Sequence, residues 1–82
     1  MNDDEVAPEV IQLATEYLAK YSVDMSQYEF SHGHSDNGKA NGTGYDYVSF
    51  AHKTRKVRIN LQIVSYQYTK RVPYEVHDVQ FV

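Results

Sequence analysis

The sequence predicts an α+β domain: one N-terminal amphipathic helix packed on a four-stranded antiparallel meander sheet. Apolar residues recur with the 3.6-residue period of a helix through residues 5–21, and from residue 27 onward the period falls to two. Short turn-forming segments separate the period-two stretches, which suits hairpins between sequential strands rather than parallel crossovers. At 82 residues the chain makes one domain, 1–82, and a domain of this size buries roughly 60% of its unfolded surface.

The helix comes first. On a helical wheel Val6, Val10, Ile11, Leu13, Ala14, Tyr17, Leu18 and Tyr21 fall within one arc of about 160°, with Glu9, Gln12, Thr15, Glu16 and Lys20 opposite. Asp3 and Asp4 are placed to cap it and to complement the positive end of its macrodipole. Pro8 is tolerated in the first turn, where no N–H is needed. Residues 22–26 end the helix.

Residues 27–34 then alternate, with Tyr28, Phe30, His32 and His34 on one side and Gln27, Glu29 and Ser31 on the other. Residues 35–44 are turn chemistry throughout, with two Asn-Gly pairs. The second strand, 45–52, sets Tyr45 and Tyr47 opposite Val48 and Phe50, and 53–55 is a polar turn. In 56–68, Val57, Ile59, Leu61 and Ile63 point inward and Arg58, Asn60 and Gln62 outward. Residues 69–71 turn the chain, Pro73 follows, and 74–82 form the last strand. Its apolar parity slips between Val76 and the pair Val79 and Phe81, which predicts a β-bulge near His77-Asp78.

Composition and charge narrow the function. Cysteine is absent, so disulfides and thiolate chemistry are excluded. No apolar stretch reaches the roughly 20 residues of a membrane span, and the acidic Met1-Asn2-Asp3-Asp4-Glu5 start is unlike a signal peptide. A cytoplasmic setting without membrane contact is the expectation. Net charge is −3, unevenly spread: residues 1–29 hold seven acids against Lys20, and residues 30–82 hold seven Lys/Arg against four acids.

His32 and His34, at i and i+2, with His52 and Asp36 or Asp46, are the one candidate metal set. A lone H-x-H without a fixed third ligand does not make a site, so no metal and no cofactor are expected. Neither a Gly-x-Ser-x-Gly elbow nor a glycine loop opening a helix occurs, and the acids outside the helix are scattered. The expectation is a protein that is not an enzyme.

Eight of the eleven aromatic residues are tyrosine, and this carries the preferred reading. If Ile59, Leu61 and Ile63 face the helix, the other face collects Tyr45, Tyr47, Arg58, Asn60, Gln62, Tyr66 and Tyr68. Such a set offers rigid amphipathic area with little side-chain entropy to lose, which suits binding another protein. The same tyrosines equally serve as cross-strand pairs that stabilise a solvent-facing sheet. A second copy of the chain is a further candidate partner, since a small core gains from dimerisation. The competing reading is nucleic-acid binding through Lys53, Arg55, Lys56, Arg58, Lys70 and Arg71, with exposed tyrosines stacking on bases. A sequence pI of about 5.7 argues against it.

The helix-then-meander order resembles the cystatin-like inhibitor folds, although Leu61-Gln62-Ile63-Val64-Ser65 lacks the glycine of their inhibitory hairpin and the chain has no Trp. The acidic, Cys-free, Tyr-rich make-up with a Gly/Asn loop is similar to small phage-encoded inhibitors of host defence, such as anti-CRISPR proteins. Both likenesses imply a small inhibitor or adaptor that acts by occluding a surface.

Overall fold

The computed structural model describes residues 6–36, 43–67 and 74–82, the side chains of 36, 43 and 65–67 excepted. Helix α1 (Pro8–Lys20) leads through a short 3₁₀ turn (Met25–Gln27) into strands β1 (Tyr28–Asp36), β2 (Thr43–His52), β3 (Arg58–Gln67) and β4 (Glu75–Phe81). The sheet order is β1-β2-β3-β4 and every pairing is antiparallel. The expected α+β meander is therefore the fold.

The helix begins later than its apolar pattern suggests. Pro8 takes the first helical position and Ala7 the N-cap, with no side chain bonding to the free N–H groups. The expected capping acids Asp3 and Asp4 lie outside the described residues. Val10, Ala14 and Leu18, one turn apart, are the fully buried stripe, while Tyr21 is the C-cap and is exposed, contrary to its place on the apolar arc.

The helix ends in a Schellman arrangement. The Val23 N–H donates to the Leu18 carbonyl at 3.0 Å and the Ser22 N–H to the Ala19 carbonyl at 3.1 Å. Ser22 takes the left-handed position, φ 70°, that such an ending requires. Val23 then packs against the core. The Asp24 carboxylate accepts from the Ser26 N–H (3.1 Å) and hydroxyl (2.6 Å), and these two bonds hold its carboxyl below the usual carboxylate range.

Register sorts the sheet into two faces, because paired residues project to the same side. Facing the helix are the rows Phe30–Phe50–Ile59–Phe81, Gly33–Val48–Leu61–Val79 and Ser35–Asp46–Ile63–Val76. In the first row Phe50 and Ile59 are buried, whereas Phe30 is 41% and Phe81 65% exposed. The helix thus lies over the two central strands and leaves the inner side of β1 and β4 partly open. At one end of this face Asp46 is 4% exposed and accepts from the Ser35 hydroxyl. Tyr74 stands near it, its phenol raised above its ordinary value by desolvation and by the negative charges of Glu9 and Asp46.

Three expectations are corrected. Phe30 pairs with Phe50, but His32 pairs with Ser49, so Ser31 is an extra residue and β1 changes parity there. Tyr28 and Phe30 face the helix side while His32 and His34 face away, and the four do not share a side. Val57 is exposed and precedes β3 instead of facing inward. Finally, β1 runs on to Asp36 and β2 starts at Thr43, which shortens the expected 35–44 connection; residues 37–42 lie outside the described residues. The expected bulge in β4 is present: Gln62 pairs with Asp78 and Ile63 with Val76, leaving His77 as the extra residue.

Candidate functional site: the uncovered sheet face

No element among the described residues covers the side of the sheet opposite the helix. Reading across the strands, its rows are Glu29–Ala51–Arg58–Val82, His32–Ser49–Asn60–Gln80, His34–Tyr47–Gln62–Asp78, and Tyr45–Val64–Glu75. Five of the seven residues expected on this face are there: Tyr45, Tyr47, Arg58, Asn60 and Gln62. Tyr66 enters only through its backbone pairing with Gly44, and Tyr68 lies outside the described residues.

Four rings cross the face in contact. His34 stacks on Tyr47 with centroids 4.7 Å apart and planes 23° from parallel. Tyr47 neighbours Tyr45 at 6.4 Å, and Tyr45 meets His77 at 5.6 Å. Tyr45 is on β2 and His77 on β4, so their contact passes over β3, where Val64 is only 5% exposed despite having no helix above it. The bulge is what brings His77 there. It inserts one residue between the rows of Asp78 and Glu75 and re-aims the side chain toward Tyr45.

Polar contacts fix the rest. The Gln62 amide donates to the Tyr47 hydroxyl at 3.3 Å, and the Ser49 hydroxyl donates to the Asn60 side-chain oxygen at 2.8 Å. Tyr47 stands between two shallow hollows. One, of about 260 Å³, is lined by His32, His34, Ser49 and Asn60 among others; the other, of about 150 Å³, by Asn60, Gln62, Asp78 and Gln80. Three histidines and Ser49 thus join a site that composition had assigned to tyrosines. The signal for His77 was the parity slip itself.

The candidate metal set is divided by the sheet. His32 and His34 are on the uncovered face, but Asp46 is on the helix face and His52 pairs with Tyr28 on that same side. The Tyr28 and His52 rings pack edge-on at 4.9 Å. His52 Nδ1 accepts from the backbone N–H groups of Thr54 and Arg55, each at 3.1 Å, so the ring organises the β2–β3 turn. Among the described residues, no three His, Asp or Glu are grouped to hold a metal ion.

Of the basic set, Lys53, Arg55, Lys56 and Arg58 are exposed around that turn. Lys70 and Arg71 lie outside the described residues. Arg55, Lys56 and Arg58 line an opening of about 310 Å³ with Ala51, Val57 and Val82, at one end of the uncovered face. No helix among the described residues is long and apolar enough to cross a membrane. The chain matches no protein-family model, no curated protein and no solved structure, so the face itself is the ground for any functional reading.

Proposed function

We propose that this chain is a small protein-binding module, an inhibitor or adaptor of the cytoplasm that works by laying the uncovered face of its sheet over a partner's surface. The observation that carries the reading is the ring row His34–Tyr47–Tyr45–His77 with the Gln62 bond to the Tyr47 hydroxyl. Rings already packed against one another lose little freedom on binding, and tyrosine offers apolar area together with a hydroxyl. The shallow hollows beside Tyr47 suit inserted side chains better than an enclosed small molecule, which needs a deeper pocket. Occlusion of a surface asks for no catalytic group, in keeping with a protein that is not an enzyme.

The test is affinity capture from the host's own lysate with washes at moderate and high salt. One stoichiometric protein should survive high salt with the wild-type chain and be lost with Tyr47→Ala and Tyr45→Ala variants whose amide spectra remain folded. Undiminished capture by both variants and by Arg58→Ala refutes the reading. The exposed basic turn supports a second reading, nucleic-acid binding, which requires an affinity falling steeply with salt. A second copy of the chain as the partner would appear in sedimentation as a concentration-dependent mass, lost in the same tyrosine variants.

A further inference from the structure

Six of the eight Lys/Arg fall between Asp46 and Glu75, and no acid does. Four of the six are in the β2–β3 turn and at the start of β3. They are held at one end of the uncovered face, next to the opening of about 310 Å³. Its floor is the row Ala51–Arg58–Val82, closed by the reciprocal backbone bonds of Arg58 and Val82, both 2.9 Å. A methyl group at position 51 leaves the space beside the Arg58 side chain open. Above the floor stands the turn that bears Arg55 and Lys56. Its backbone is pinned by the two N–H bonds to His52 Nδ1 and by the His52 N–H donating to the Val57 carbonyl at 3.0 Å. The cations are therefore presented by a backbone whose shape is set in advance.

We infer that this opening is a carboxylate-binding subsite, and that the partner of the face is a protein presenting acidic side chains to Arg55, Lys56 and Arg58. The inference rests on the protein-binding reading above and gives that partner a chemistry. Guanidinium groups bind carboxylates through paired hydrogen bonds, and two of them with an ammonium around one opening accept more than one carboxylate. The charge pattern of the remaining face separates an acidic protein from a nucleic acid. Beyond the cleft the rows turn to Ser49, Asn60, Gln62 and Tyr47, and at the far end to Asp78 and Glu75. A polyanion running the length of the face would meet those carboxylates. A folded acidic surface sets its charges in the cleft and its neutral part on the tyrosines. Glu29 occupies the β1 end of the cleft's own row, beside Ala51, without lining the opening. Its negative charge stands on that row two strands from Arg58.

The experiment is an amide chemical-shift titration of the purified chain with three probes: a capped hexaglutamate peptide, its hexaglutamine counterpart and a ten-residue oligothymidylate. Hexaglutamate should shift Ala51, the Arg55–Arg58 segment and Val82, saturably, while hexaglutamine leaves them in place. Arg58→Gln should weaken the binding about tenfold, the loss expected for a charge-assisted contact, and Glu29→Gln should strengthen it. Cleft amides that do not respond to hexaglutamate, or a response unchanged in an Arg55→Gln, Arg58→Gln double variant with a native spectrum, overturn the inference. So does tighter binding of the oligothymidylate, which would assign the cleft to phosphate. These outcomes are independent of the lysate capture: tyrosine variants that still lose the partner keep the face as the binding surface even when the cleft fails.

Discussion

Gly33 is the position where a single methyl group tests the packing of the helix on the sheet. It lies on the helix face of β1, opposite Val48. A Cβ built there would sit 2.8 Å from the backbone oxygen of Tyr47 and 3.2 and 3.3 Å from the two methyl groups of Val6. The first distance cannot be relieved by rotating a side chain, so either β1 moves away from β2 or the start of the chain lifts off. Elsewhere in a strand, Gly→Ala stabilises by about 0.4–1 kcal/mol, because alanine has less freedom to lose on folding. Overpacking of this kind costs about 1–3 kcal/mol and reverses the sign. Gly33→Ala should therefore destabilise by about 1–2 kcal/mol, out of a total of roughly 4–12 kcal/mol for a domain of this length. Urea unfolding followed by circular dichroism measures it, with a slope near 1 kcal/mol per molar giving a midpoint about 1–2 M lower. In a Val6→Ala background the penalty should shrink without vanishing, since the Tyr47 oxygen stays in place; the double-mutant cycle isolates the Val6 share. A Gly33→Ala chain as stable as the wild type, or more so, would refute this account of how the segment before α1 meets β1.

Ser22→Gly should stabilise the fold by about 0.5–1 kcal/mol, visible as a higher midpoint, because φ 70° strains serine and suits glycine. Leu18→Ala, which empties the most voluminous fully buried side chain of α1, should cost about 2–5 kcal/mol in the same assay. At alkaline pH the sign follows from Tyr74 and Tyr17. Desolvation with the charges of Glu9 and Asp46 raises the first phenol, and desolvation with the neighbouring Tyr21 raises the second. Their contribution is complete below the ordinary tyrosine value near 10 and is lost as pH rises through the raised values. The alkaline loss of thermal stability should therefore be smaller in a Tyr17→Phe, Tyr74→Phe chain.

The sequence was legible where apolar residues report parity. In β3, Ile59, Leu61 and Ile63 assign the faces without ambiguity, and Tyr45 and Tyr47 follow from Val48 and Phe50. In β4 the odd spacing from Val76 to Val79 exposes the bulge. β1 offers no such marker after Phe30. Its helix-face positions are Gly33 and Ser35, a glycine chosen by close approach and a serine bonded to a buried carboxylate, so nothing apolar announces the change at Ser31. The same silence hid the imidazoles of His32 and His34 from the candidate site. Val57 misled in the opposite direction: it continues the alternation of β3 in sequence, but the turn organised by His52 claims its backbone first. The basic cleft was legible as charge and illegible as shape, because its opening depends on Ala51, a residue that no motif would single out.

The extra residues Ser31 and His77 share a consequence beyond the side chains they re-aim. β1 and β4 are the two borders of the sheet, and borders expose free N–H and C=O groups that another chain can continue. Ser31 divides one border into Tyr28–Phe30 and His32–Asp36, and His77 divides the other into Glu75–Val76 and Asp78–Val82. Among the described residues the longest unbroken border runs are thus five residues each, His32–Asp36 and Asp78–Val82. Lateral growth into fibres needs a straight ladder of identical strands, and neither margin supplies one. Both described margins of the sheet are thus interrupted where a further strand would add.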